Sequence, residues 1–230
     1  LLLLLAGLIL AAVAGLWLLN SVRSPAPPPA DRPLPVAKLP NHPLRIVALG
    51  TSLTARAFWP ERLAADLTSC LGHPVQVGRV ARPGARSDWA LEQVERVLAA
   101  APDIVVIEFA INDADLLDGV SVDTSVTRHL QLVGRLTKGL SAPAIVLMTT
   151  NPVAPGWRTL QRPRLGAYYA AYRGLAAQTN SGLADIWPRW TDGPGGDGLH
   201  PAPEFEAGLT LPVLRSLIAA RYGKTCAPRG

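Results

Sequence analysis

The chain has 230 residues, 49% of them hydrophobic, and a formal net charge of +5. Its basic residues are scattered, with no basic tract interleaved with aromatics, which argues against nucleic-acid binding. Cys70 and Cys226 are the only cysteines and lack metal-ligand spacing, which leaves one disulfide as the reading for an exported chain.

Residues 1–19 are apolar and carry no charge. As a helix they would span about 28 Å, close to the ~30 Å hydrocarbon core of a bilayer. A signal-peptide core is shorter, about 7–15 residues. Residues 1–20 are therefore read as an uncleaved membrane anchor, with a cleaved signal segment as the alternative. An anchor would hold the rest of the chain at the inner membrane, facing the periplasm or extracellular space. A cleaved segment would leave it secreted. Residues 21–43 are dense in proline, which lacks an N–H and fixes φ. They read as a semi-extended spacer ahead of a domain spanning 44–230.

From residue 44 onward, short apolar runs alternate with amphipathic stretches. Strands are predicted at 44–49, 75–80, 103–109, 144–149 and 183–186. Helices are predicted at 58–70, 88–100, 122–139, 165–180 and 204–222. The runs Ile104-Val105-Val106-Ile107 and Ile145-Val146-Leu147 are continuously apolar, as in strands buried on both faces. The alternation predicts an α/β fold of flavodoxin type, a three-layer α/β/α sandwich around a five-stranded parallel sheet.

In such a sheet, chemistry belongs at the carboxyl ends of the strands. Ser52 lies just past strand one and Gly84 just past strand two. Asn112 and Asp113 lie just past strand three, and Asp197 and His200 follow strand five. All of them fall on one edge. Cys70 ends the first helix and Cys226 lies just beyond the last, both at the opposite edge, where a bridge would pin the C-terminus.

Gly50-Thr51-Ser52-Leu53, Gly84, Ala110-Ile111-Asn112-Asp113 and Asp197-Gly198-Leu199-His200, in that order, resemble the motifs of the SGNH (GDSL-like) hydrolase family. The four naming residues would be Ser52, Gly84, Asn112 and His200. The resemblance covers residues 44 to about 222, and it implies ester hydrolysis without metal or cofactor. Thr51 stands where the family usually has aspartate, and Ala110 where it usually has glycine. Alanine there would restrict the backbone if φ were positive.

The chemistry follows from the residue types. Ser52 Oγ would attack an ester carbonyl, His200 would carry the proton, and Asp197 would brace the imidazole. The Ser52 N–H, the Gly84 N–H and the Asn112 amide would receive the oxyanion. Activity should rise with pH as the imidazole loses its proton, from an unperturbed pKa near 6.5.

Other residues receive plainer readings. His42, His73 and His129 are structural or solvated. Asp113, Asp115 and Asp118 form a solvated loop rather than a calcium site. Tyr168, Tyr169 and Tyr172 make a packed helix face. Trp157, Trp187 and Trp190 follow strands four and five and are placed where they could rim the mouth of the site, with core packing the expected role of at least one of them.

The leading expectation is an esterase acting on short acyl groups, such as O-acetyl, on envelope carbohydrate. The alternatives are a lysophospholipase or thioesterase, an acyltransferase, and a non-catalytic envelope binding module. The partners expected are the ester substrate and, through the N-terminus, the membrane.

Overall fold

The computed structural model describes residues 27–141 and 143–226. The expected anchor at 1–20 and the first spacer residues lie outside them. Strands β1 (Leu44–Gly50), β2 (Val75–Ala81), β3 (Ile104–Glu108), β4 (Ala144–Thr149) and β5 (Gly182–Asp185) form one parallel sheet ordered β2-β1-β3-β4-β5. This is the flavodoxin order, and the sequence expectation holds. The topological switch falls between β1 and β3, where an open parallel sheet leaves its crevice.

Side-chain alternation divides the core into two layers. Val47, Leu49, Val105 and Ile107 face one side, and Leu44, Ile46, Ile104 and Val106 face the other. The first layer is covered by α3 (Ser87–Glu92), α4 (Val94–Ala99), α6 (Val122–Gly139) and α8 (Leu165–Gln178). The second is covered by α2 (Trp59–Leu71) and α9 (Pro203–Arg221). In α2 the buried side chains Trp59, Leu63, Leu67 and Leu71 recur every four residues, and Gly72 ends the helix in the left-handed region.

Short helices complete the loops: α1 (Ser52–Ala55), α5 (Ala110–Asp113), α7 (Trp157–Gln161) and a 3-10 turn at Trp187–Arg189. The helix predicted at 88–100 is two helices. Gln93 N–H bonds to Ala90 O, a tightened step that breaks the ladder between α3 and α4.

The described part of the proline-rich stretch, expected as a semi-extended spacer, packs on the domain. Arg32 and Leu183 exchange both backbone hydrogen bonds at 3.0 Å, so the stretch bridges the outer edge of β5. Leu34 is buried in the second layer, Ala37 N–H bonds to Arg221 O, and Asp31 pairs with Arg189 at 2.6 Å. An edge strand has unpaired backbone groups, and this strap satisfies some of them. Its prolines lack the N–H groups needed to extend the bridge into a sixth strand.

Cys70 and Cys226 form a disulfide with Cα atoms 5.5 Å apart, at the edge opposite the loops that carry the polar motifs.

Candidate active site

Strand β1 ends at Gly50, where a Cβ would collide with the Glu108 carboxylate. Glycine is required here because the end of β3 approaches so closely. Thr51 then caps α1, its hydroxyl accepting from Leu53 N–H at 3.2 Å. Ser52, the first residue of α1, is buried except for 6% of its surface. Its Oγ lies 2.9 Å from His200 Nε2.

The opposing loop is self-braced. Asp197 Oδ1 accepts the backbone N–H groups of Leu199 (2.9 Å) and His200 (2.8 Å), while Oδ2 lies 2.8 Å from His200 Nδ1. The His200 N–H, followed by the His200 ring and the Leu199 N–H, outweighs desolvation and holds the Asp197 carboxyl well below the usual carboxylate range. An ionised Asp197 fixes the tautomer. Nδ1 carries the proton, and Nε2 is left to accept from Ser52. Asn151 Nδ2 donates to Leu199 O at 2.9 Å, and Ala154 N–H donates to Gly198 O at 2.8 Å, seating this loop on the one after β4. Gly198 has φ +79, and a Cβ there would come within 2.8 Å of Ala154 Cβ. Arg158 lies 3.5 Å from Asp197 Oδ2, a second charge on the same carboxylate.

Gly84 has φ +73 in the turn Arg82-Pro83-Gly84-Ala85, closed by Ala85 N–H to Arg82 O at 3.0 Å. Proline followed by a positive-φ glycine is the type II signature. Arg82 N–H bonds to Gly50 O, tying this turn to the end of β1. Asn112 Nδ2 donates to Ala85 O at 2.9 Å, tying α5 to the same turn. The amide has a second hydrogen, which that bond does not use. Ala110 is helical in α5 and is not among the positive-φ residues, so alanine at this position imposes no strain.

The fold therefore brings Ser52, Asp197 and His200 into one hydrogen-bonded chain and joins the Gly84 turn to both β1 and Asn112. The other aromatic and acidic expectations are only partly met. Trp157 is 65% exposed beside Asp197, lining with Arg158 and Gly195–Gly198 a cavity of about 690 Å³. Trp187 instead packs on Tyr169 with ring centroids 5.3 Å apart, and Trp190 is buried in the second core layer against Phe205. Trp157 alone keeps the rim position, and the packing role expected for at least one of the three falls to Trp187 and Trp190, because the turn after β5 folds both inward. The acidic cluster is not a solvated loop either. Asp113 is fully buried, accepting from Ser87 N–H (2.9 Å) and Ser125 Oγ (2.6 Å). Asp115 pairs with the buried Arg162 at 2.8 Å, and Asp118 alone of the three is exposed. These groups pin the loops after β2 and β3, which solvent could not do. His129 is structural, bonded to Tyr172 and Ser125, with burial lowering its pKa. The three tyrosines form the packed face expected of them.

Sequence reasoning missed Glu108, Asn151 and Arg158. Glu108 had a signal: it is the one charged residue in an otherwise apolar strand. Its carboxyl is buried beneath Thr51 and Thr54, and burial pushes its pKa up to about 7 against the opposing hydrogen bonds. The buried Glu206 on α9 is pushed up to about 8, by burial first and by Glu108 second.

The profile of the GDSL-like lipase/acylhydrolase family matches residues 48–206. Solved structures with similar folds include a lipase/acylhydrolase from Enterococcus faecalis (22% identity, TM-score 0.66, covering 81% of this chain and 100% of that one). Another is a catalytic mutant of an acetylxylan esterase from Geobacillus stearothermophilus (19%, 0.64, 86% and 100%). A third is a carbohydrate acetylesterase from Sinorhizobium meliloti (16%, 0.65, 77% and 99%). No curated protein matches the chain by sequence. The chain belongs to the GDSL-like lipase/acylhydrolase family and is an ester-hydrolysing serine hydrolase.

Proposed function

We propose that the protein is a Ser-His-Asp esterase that removes short acyl groups, O-acetyl foremost, from envelope carbohydrate outside the cytoplasm. The observation that carries the mechanism is the continuous hydrogen-bond chain from Ser52 Oγ through His200 to Asp197, with distances of 2.9 and 2.8 Å. Ser52 Oγ attacks the ester carbonyl as His200 Nε2 takes its proton, and the imidazolium so formed faces the ionised Asp197. The tetrahedral oxygen is received by the Ser52 and Gly84 N–H groups and the free Asn112 amide hydrogen. His200 returns the proton to the leaving alcohol, and water repeats the sequence to release the acid. His200 must be neutral and Asp197 ionised for the first step.

The substrate class is supported by the exposed Trp157 beside Asp197, a flat apolar face suited to a sugar ring. The names of two fold neighbours, an acetylxylan esterase and a carbohydrate acetylesterase, point the same way. The extracytoplasmic setting is supported by the apolar N-terminal run and by the disulfide, a bond that persists in oxidising compartments. A second reading, a lipid or thioester hydrolase, is favoured by the exposed Leu116, Leu117 and Leu160. Leu116 N–H bonds to Gln161 O, which joins the loop after β3 to helix α7, the helix that begins at Trp157 and carries Leu160.

The test is fluorophosphonate labelling of wild type, Ser52→Ala and His200→Ala, followed by a chain-length series of p-nitrophenyl esters. Labelling in wild type alone, with acetate preferred, is expected. An unlabelled wild type refutes the mechanism. A preference for long chains selects the lipid or thioester reading, and acyl transfer to an added acceptor sugar would show a transferase.

A further inference from the structure

Glu108 closes β3 with a carboxyl that is 1% exposed, and the scheme above gives it no step. Oε1 accepts Thr51 N–H at 2.6 Å and Thr54 Oγ1 at 2.7 Å, and Oε2 accepts Thr51 Oγ1 at 3.1 Å. These partners flank Ser52 on both sides, one residue before it and two after. Thr51 Oγ1 in turn accepts Leu53 N–H, so the carboxyl anchors the cap of α1 as well as its first turn. Gly50 lacks the Cβ that this carboxyl would strike. Sequence and packing thus leave one space beneath the turn, and Glu108 fills it.

We propose that Glu108 is the positioning residue of the nucleophile turn: through Thr51 before Ser52 and Thr54 after it, its carboxyl fixes Ser52 Oγ at hydrogen-bonding distance from His200 Nε2. This rests on Ser52 being the nucleophile. The residue does not touch substrate. It acts by removing the freedom of a four-residue helix too short to hold itself. A nucleophile displaced by about 1 Å costs on the order of 10²-fold in rate, whereas substrate binding elsewhere in the cleft is untouched.

The carboxyl works as a hydrogen-bond anchor rather than as a charge. Among the described residues no cation is bonded to it, and the ionisable groups that feel its charge are Glu206 on α9 and Tyr169 and Tyr172 on α8, whose own pKa values it raises. Burial favours the acid form toward neutral pH. In that form Oε2–H donates to Thr51 Oγ1, a hydroxyl able to accept it. Glutamine reproduces this pattern: its amide oxygen accepts from Thr51 N–H and Thr54 Oγ1, and its NH₂ donates to Thr51 Oγ1.

The experiment compares the full-length wild type with Glu108→Gln, Glu108→Ala and Thr54→Val. The readouts are kcat and KM on p-nitrophenyl acetate, the second-order rate of fluorophosphonate labelling, and Tm. Glu108→Gln is expected to keep kcat and the labelling rate within about threefold of wild type. Glu108→Ala is expected to lower both on the order of 10²-fold with KM changed less than about threefold. Thr54→Val, which keeps side-chain shape and deletes one bond, is expected to lower both about fivefold, and it decides the matter if Glu108→Ala does not fold. Folded variants that lose Tm but label and turn over like wild type overturn the proposal alone. So does a Glu108→Gln variant as slow as Glu108→Ala. A wild type that does not label overturns the nucleophile assignment, and the proposal with it.

Discussion

Reducing the Cys70–Cys226 bridge should destabilise the protein without changing its activity. The bond joins residues 156 apart in sequence, so it closes most of the folded chain into a single loop. Loop-closure entropy for that length comes to about 5 kcal/mol at 25 °C. A realistic denatured chain is already compact, which lowers the expected loss to about 2–4 kcal/mol. The native state should barely respond. Cys226 lies five residues past the end of α9, and α9 is held independently by Leu214, Leu217 and Ile218 in the same core layer as Leu63 and Leu67 of α2. The assay is urea unfolding of wild type against Cys70→Ser/Cys226→Ser, followed by the fluorescence of the six tryptophans. With a slope of about 2–3 kcal/mol/M, the midpoint should fall by roughly 1–2 M. The slope should rise slightly, since an unlinked chain exposes more surface. Ester hydrolysis at 25 °C should stay unchanged. An unshifted midpoint, with the wild-type bridge verified by mass, would refute the reasoning. A fall in activity equal to the loss of stability would show that the two ends of the sheet are coupled.

Three further outcomes are expected. Asn112→Ala should lower kcat by about 10²–10³-fold with little change in KM on p-nitrophenyl acetate, and a change under about threefold would remove Asn112 from the oxyanion pocket. Glu108 and Glu206, raised to about 7 and about 8, hold protons in the folded chain that the unfolded chain has released above about 4.5, so stability is fully present below that value and is lost as pH rises to about 8. The lowered Asp197 acts only below its ordinary range, whereas the lowered His129 opposes the trend up to about pH 6.5, where the unfolded imidazole takes a proton that the buried one refuses. Wild-type Tm should therefore drop on the order of 5 °C between about pH 6.5 and 8, and Glu206→Gln should flatten the drop; parallel curves for the two proteins would count against a buried acid at 206. Trp157→Ala should raise KM for an acetylated oligosaccharide about 3–10-fold and leave p-nitrophenyl acetate unaffected, whereas equal effects on both substrates would deny it a sugar-facing role.

The strands and long helices were legible because burial wrote them into hydrophobicity. The runs at 144–149 and 122–139 carry a pattern long enough to set both ends, and the structure keeps those ends. The short helices at Ser52, Ala110 and Trp157 span four or five residues, little more than one hydrophobic period, and left no trace. The strap from Asp31 to Ala37 was invisible for another reason. Its partners, Leu183, Arg189 and Arg221, lie roughly 150 or more residues away in sequence, and proline composition alone reads as an extended linker whether or not an edge strand is waiting for it. At the site, Asp197 and His200 were readable because a three-residue spacing is local. Glu108 was marked only as a charge in an apolar strand, and its role was not readable, since its partners follow another strand, 54 and 57 positions away. Nor was the inward fold of Trp187 and Trp190, which depends on how the turn after β5 closes.

Buried polar groups are concentrated at one end of this molecule. Glu108, Thr149 and Asp185 are the last residues of β3, β4 and β5, while Leu44, Val75, Ile104 and Ala144 begin β1 to β4 and are apolar. Each buried charge at the loop end costs desolvation that its partners offset only in part. That cost has a structural return: Glu108 fixes the serine turn, Asp113 the turn behind Gly84, and Asp185 gathers Thr149, Arg173 and the N-terminal strap. Apolar packing could not fix these loops so narrowly, because it has no direction, whereas hydrogen bonds have direction and length. The opposite end carries no comparable demand and can be made purely cohesive, with a disulfide added where the last helix finishes. The two ends of the sheet thus carry different tasks, and an apolar substitution that removes the buried hydrogen bonds at the loop end should loosen the geometry on which the serine depends, whereas an isosteric amide that keeps those bonds should not.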